Sequence, residues 1–179
     1  MTLTLHPHPD HLPENIRSVE ASVMALGPHW LCLRWKVEGT QTLVVPTFAG
    51  KGRADNLWQT TCFELFVKPE GGDGYTEFNL SPSERWAAYD FSGYRYGMED
   101  RAMVRQPDCT IRRGGSIAIF DASIPVADLP ALPWRAGLSA VLEEQGGRKS
   151  YWALNHPDGK ADFHDPACFA LSLGPREAA

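Results

Sequence analysis

The sequence has no surplus of positive charge. Its 179 residues carry 17 Lys and Arg against 22 Asp and Glu, a formal net charge of −5, and the densest basic cluster is Arg112-Arg113. No nucleic-acid partner is expected, because binding a phosphate backbone needs a concentrated positive face. No run approaches the roughly 18 apolar residues of a membrane helix, so no membrane partner is expected either. The four cysteines (Cys32, Cys62, Cys109, Cys168) are far apart and form no CxxC pair. They read as reduced, mostly buried thiols rather than a disulfide or zinc framework. A Walker or GxGxxG loop, a GxSxG elbow, an HExxH helix and a catalytic Cys–His spacing are all missing. The opening MTLTLHPHPDHLPEN has no positively charged segment leading into an apolar one, so no secretory signal is read there and the expected location is cytoplasmic.

A hydrophobic content of 43% with 22% charged residues is ordinary for a folded chain, and the length suits one domain. That domain is expected over 16–179, after a loose lead-in over 1–15 rich in His and Pro. His6, His8 and His11 in the lead-in read as incidental rather than as a chelating set.

A period of two, the signature of strands, runs through most of the rest. Val19, Ala21, Val23 and Ala25 alternate with polar residues, and after Gly27-Pro28 so do Leu31, Leu33, Trp35 and Val37. Leu43–Phe48 reads as a short edge strand bent at Pro46. Three strands follow, over Thr61–Lys68, Tyr75–Leu80 and Glu84–Phe91, separated by turn-forming residues. Two further hairpins are expected, one at Cys109–Arg113 and Ser116–Ile124, the other at Trp134–Glu144 and Lys149–Asn155. At most one helical turn fits Pro125–Leu132, and Ala167–Leu173 is a closing strand. The fold class is therefore all-β: roughly nine to eleven strands in a β-sandwich of two antiparallel sheets, jelly-roll or immunoglobulin-like. The edge at Leu43–Phe48 makes a homodimer, built on a second copy of the chain, an expected partner.

The central three strands carry the most informative side chains. Phe63, Leu65 and Val67 occupy one face of the first, and Thr76, Phe78 and Leu80 one face of the second. The opposite face then presents Glu64, Phe66, Tyr75, Glu77 and Asn79. If Phe66 pairs with Tyr75, Glu64 stands opposite Glu77, which demands a cation, a shared proton or a ligand rich in hydroxyl donors; a two-residue slip puts Glu64 beside Asn79. Arg85, Arg135 and Arg148 are candidate partners for these acids. The plainer reading is that both glutamates solvate an exposed face. A third is a glycosidase acid and base, since directly opposed glutamates stand about 5 Å apart. Trp58, beside the polar loop 49–56, is placed to stack on a sugar ring, whereas Trp35, Trp86 and Trp152 read first as core. His156, His164, Asp162 and Asp165 are metal-ligand types without a standard spacing, and a calcium held by loop carboxylates is an alternative there.

The stretches LWQTTCFELFVKPEGGDGYTEFNLSPSERWAAYDFSGYRYGM and YWALNHPDGKADFHDPACFALSL resemble the bacterial DOMON-like domains related to family 9 carbohydrate-binding modules. The resemblance runs from about Ile16 onward. It is carried by Trp58 six residues before Glu64, by Tyr-x-Glu-Phe-Asn-x-Ser-Pro at Tyr75–Pro82, and by the Asp-Phe-His loop. It implies two antiparallel sheets and a sugar clamped between two aromatic walls, with a glutamate, an asparagine and an arginine on its hydroxyls. Trp58 takes the place of one wall and Glu64 that of the acid. Phe163 stands where the second wall is normally tryptophan, with Asp162 and His164 beside it, and Asn79 and Asn155 are the candidates for the amide.

The expected function is non-catalytic binding of a carbohydrate ligand, without a cofactor. The ligand-binding set is Trp58, Glu64, Glu77, Asn79, Asn155, Asp162, Phe163 and His164. Three alternatives stand beside it: a haem- or metal-binding redox module with Met98 and His156 as ligands, a small glycan-processing enzyme, and an interaction domain with a vestigial pocket.

Overall fold

The first strand lies inside the segment expected to be a loose lead-in. In the computed structural model, which describes residues 1–174, Thr2–Pro7 form β1, with Leu5 buried. Thr2–Leu5 pair with β2 (Ser18–Leu26), while His6 and Pro7 pair with Ala153 and Trp152 near the other end of the chain. A short stretch rich in His and Pro shows little periodicity of its own. Partners distant in sequence order it.

β2 runs antiparallel to β3 (Trp30–Glu38), as the alternation predicted, with a bulge between Val23 and Ala25. The strand expected at Leu43–Phe48 does not form. Thr40–Thr42 make a single 3-10 turn, Leu43 keeps one isolated bridge to Glu144, and Pro46 has no N–H with which to continue a ladder. The edge on which pairing with a second copy was expected is therefore not a strand.

The remaining strands are β4 (Gly52–Arg53), β5 (Cys62–Pro69), β6 (Tyr75–Leu80), β7 (Arg85–Phe91), β8 (Glu99–Asp100), β9 (Asp108–Arg113), β10 (Ile117–Pro125), β11 (Trp134–Glu144), β12 (Arg148–Ala153) and β13 (Leu171–Leu173). The central three strands and both later hairpins lie close to their predicted bounds. β13 is shorter than expected because Pro166–Cys168 turn as a 3-10 helix. Val126–Asp128 supply the single turn read between Pro125 and Leu132. No helix among the described residues is long and apolar enough to cross a membrane.

The protein is all-β, but its strands do not separate into two sheets. Hydrogen bonds join them in one path, β4-β7-β6-β5-β11-β12-β1-β2-β3-β10-β9, with β8 on β7 and β13 on β11. The expectation of two antiparallel sheets is corrected at β1, whose first part belongs to β2 and whose last two residues belong to β12. The β4–β7 pair is also parallel. The two arms of this sheet curl over a shared core. Phe63 of β5 stacks on Phe120 of β10 with ring centroids 4.3 Å apart, and Trp35 of β3 lies 5.5 Å from the Phe63 ring. Leu65, Val67, Phe78, Leu80, Trp86 and Trp152 join that cluster. Each large apolar side chain so buried contributes about 1.5–3 kcal/mol. This burial fixes which face of β5, β6 and β7 turns inward, and so which face is left for other use.

Candidate functional site

The register of β5 on β6 pairs Glu64 with Asn79 and Phe66 with Glu77. Of the two alignments compatible with the sequence, this one keeps the acids from direct opposition, where like charges repel. They lie on a diagonal instead, so the opposed pair behind the glycosidase reading is not formed. β11 sets Ser139 beside Glu64, and β7 sets Ala87 beside Asn79 and Tyr89 beside Glu77. Across the sheet one row reads Ala153, Ser139, Glu64, Asn79, Ala87. Small neighbours on both sides leave the acid and the amide without bulky cover.

Part of this outer face is closed by a second apolar cluster. Phe66 stacks on Phe169 at 5.6 Å and Tyr75 on Phe91 at 4.8 Å. Three connecting segments reach over what remains. The 3-10 turn Leu57–Gln59 brings Trp58, the loop after β7 brings Arg95, and the loop after β12 brings Asp162, Phe163 and His164. Between them lies a cavity of about 810 Å³ with Glu64, Glu77 and Asn79 in its lining. That is the size of a small-molecule site.

The acids of the cavity are held in unusual states. Burial, then the neighbouring Glu77 charge, drive the Glu64 carboxyl well above the usual range, against one long hydrogen bond from the Ser139 hydroxyl at 3.5 Å. Burial lifts Glu77 to about 7, although the Asn79 amide and the Arg95 guanidinium favour its charged form. The Asn79 side-chain oxygen is buried with no partner. His164 is depressed to about 4, by burial first and then by Arg95, so it is neutral at pH 7. Its Nδ1 lies 2.7 Å from the Tyr75 hydroxyl, and its Nε2 lies 3.7 Å from Glu77 Oε2. The Tyr75 oxygen also accepts the Arg95 N–H at 3.2 Å.

Asp162 belongs to the frame of the site. Its carboxylate accepts from Arg95 at 2.7 and 3.3 Å, from the Tyr94 hydroxyl and from the His164 N–H at 3.0 Å. Burial would raise its pKa, but these partners hold it below the usual carboxylate range. Arg95 itself sits at a left-handed φ of 52°. Such a conformation at a non-glycine residue persists only where its surroundings fix it.

Of the eight residues singled out in the sequence, seven line the cavity: Trp58, Glu64, Glu77, Asn79, Asp162, Phe163 and His164. Asn155 does not. It is exposed, and its amide donates to the Ala167 carbonyl at 3.3 Å, bracing the last loop. Trp58 is 48% exposed at the mouth, whereas Phe163 is largely buried against Tyr151. The guanidinium of the site is Arg95. Arg85, Arg135 and Arg148 bond carbonyls elsewhere, at Ala49, Phe169 and Leu12. Met98 lines the cavity but His156 does not, its Nε2 lying 2.8 Å from the His6 carbonyl oxygen, so the pair considered for haem is not brought together. Tyr89 and Tyr151 are lining residues the sequence reading passed over. Tyr89 was findable, since it shares the outward alternation of Ala87 and Phe91. Arg95 lies in an irregular loop and left no periodic signal.

No family model matches the chain, and no curated protein sequence matches it. Solved structures do resemble it. A candidate carbohydrate-binding protein from Bacteroides uniformis superposes with a TM-score of 0.65 at 18% identity, over 97% of this chain and 86% of that one. A family 9 carbohydrate-binding module from Caldicellulosiruptor kristjanssonii, solved with cellotriose, gives a TM-score of 0.51 at 11% identity, over 96% and 84%. At these identities the likeness shows the fold.

Proposed function

We propose that this chain is a non-catalytic binding module whose cavity takes a sugar or a sugar-containing ligand. One observation carries the reading: buried acceptors with few donors of their own stand on the floor of a cavity walled by aromatic rings. Asn79 and Glu64 supply the acceptors, and Trp58, Tyr89 and Tyr151 supply the rings. A pyranose offers hydroxyl donors at its edge and an apolar face for stacking, so it complements both. The likeness to a solved carbohydrate-binding module supports the same reading, and so does the resemblance to DOMON-like domains, with the curled sheet as a variant of their sandwich.

The test is a thermal-shift screen of the whole chain against mono- and disaccharides, nucleotide sugars and cell-wall fragments. A ligand present at about 100 times its Kd stabilises by about 2.7 kcal/mol, a clear rise in Tm. Trp58→Ala is expected to weaken any hit by about tenfold or more while leaving the unliganded Tm nearly unchanged, because Trp58 is half exposed. A panel without a hit, or a hit indifferent to Trp58→Ala, overturns the reading.

A further inference from the structure

The charged groups around the cavity are not equally provided for. Asp55 and Asp100, on one wall, both accept from Arg53, at 3.3 and 2.5 Å. Asp162, on the other, is held by Arg95. Glu64 and Glu77 have no guanidinium or ammonium within ion-pair distance among the described residues. Glu77 has the His164 ring at 3.7 Å and the Asn79 amide beside it, with the Arg95 charge farther off, and Lys160 stands on the exposed rim. Between the two glutamates in sheet register lies Asn79, 1% exposed, with its carbonyl oxygen unpaired. Two carboxyls and an unpaired amide oxygen therefore converge on the floor, and the Ser139 hydroxyl is the one, distant side-chain donor to Glu64.

A sugar hydroxyl both donates and accepts. An ammonium only donates, three times, and brings the charge these carboxyls lack. Trp58 and Tyr151 also line the cavity, and an aromatic ring attracts a cation brought over its face. We infer that the ligand of this cavity carries a primary amine seated among Glu64, Glu77 and the Asn79 carbonyl, so that amino sugars are its preferred class. The sugar part of this inference rests on the binding reading above; the amine part does not.

A pH dependence follows. An ammonium pairs with ionised Glu77, and in the free protein that group is protonated below about 7. Affinity for an amine therefore rises as pH climbs toward and through 7, with release of a proton on binding. Among the groups around Glu77, His164 stays neutral down to about 4, Arg95 stays charged and Asp162 ionised, and burial keeps Tyr75, Tyr89 and Cys62 protonated; the Glu64 carboxyl is itself pushed well above its usual range by burial and by the Glu77 charge.

The experiment is calorimetric titration of the intact chain with glucosamine, galactosamine and mannosamine, each against its neutral parent and its N-acetyl form, at about pH 5.5 and about pH 7, below the roughly 7.7–8.0 at which amino groups of this type lose their charge. At least one amine is expected to bind about tenfold tighter than its parent at the higher pH, the effect of one charge-assisted hydrogen bond. That advantage should shrink at the lower pH and vanish on acetylation. Glu77→Gln should abolish the advantage. If that variant does not fold, titration of the unaltered chain in two buffers of different ionisation enthalpy still reads the released proton. Parents binding as tightly as amines overturn the amine inference and leave the sugar reading standing. Simple alkylamines binding where every sugar fails overturn the sugar reading and leave the amine. Failure of all of them overturns both.

Discussion

Glu144 and Glu64 are both buried glutamates on neighbouring stretches of the same sheet, and they are held in opposite ways. Glu144, at the end of β11, accepts from the backbone N–H groups of Glu14 and Asn15, each at 2.7 Å, and from the Thr42 hydroxyl at 2.9 Å. Burial would push its pKa up, yet these donors hold it below the usual range, so it is a carboxylate. It pins the end of the N-terminal segment and the turn after β3 onto β11. The Glu64 carboxyl is enclosed more deeply and receives one bond of 3.5 Å, and there burial prevails and keeps the proton on. Depth of burial and the number of donors arranged around an acid together decide its state. A full complement of donors marks Glu144 as structural, and their scarcity at Glu64 fits a group whose partner arrives from outside.

The contrast breaks most severely at Glu144. Glu144→Ala strips two backbone N–H groups of their acceptor and is expected to cost about 2–5 kcal/mol, read as a lower urea midpoint at unchanged slope. Glu64→Gln, which removes an ionisable group from a site that does not satisfy it, is expected to be neutral or stabilising at pH 7. Equal losses in the two variants would erase the distinction.

A smaller effect lies in the pH dependence of stability. Glu77 titrates near 7 when folded and near 4.5 when unfolded. Between those values the folded protein keeps a proton that the unfolded chain has released, so stability falls as pH rises through the window and levels off above about 7. The total from this group is about 3 kcal/mol. His164 acts in the opposite sense: its pKa is lowered, so the unfolded chain takes up a proton first and stability falls as pH drops from about 6.5 toward 4. Comparing Glu77→Gln with the unaltered chain isolates the glutamate. The variant should gain in relative stability from about pH 5 to about pH 8. A constant difference across that range would show that Glu77 titrates normally.

The smallest expected effect is at Arg95. Its pair with Asp162 is half exposed on the arginine side, so Arg95→Ala is expected to cost about 1 kcal/mol or less in stability. The sharper readout is His164, whose pKa Arg95 helps depress. In an NMR titration it should move up from about 4 in the variant. An unmoved His164 would mean that burial alone sets it.

Much of the framework was legible in the residues. The alternation of Phe63, Leu65 and Val67 against Glu64 and Phe66 fixed both the strand and its two faces, and the same logic covered Glu77, Asn79 and the later hairpins. Trp35, Trp86 and Trp152 were core on that pattern and are core in the fold. The errors share a cause. Thr2–Pro7 became a strand, Leu43–Phe48 did not, and Arg95 rather than Arg85, Arg135 or Arg148 reached the site, because each outcome depends on a partner far away in the chain. Asn155 resembled a ligand amide in its loop, but the loop's own path turned it to Ala167.

By itself the sequence determined what is local: where strands run, which side chains share a face, and that two glutamates and an amide stand together on the outward one. A period of two repeats within a few residues and needs no distant contact. The tertiary structure decided the two-residue choice of register that sets Glu64 against Asn79, the continuity of the sheet through β1, and the loops that close over the floor. Those depend on packing between segments far apart in the chain, where one residue's preference counts for little against the burial of a whole face.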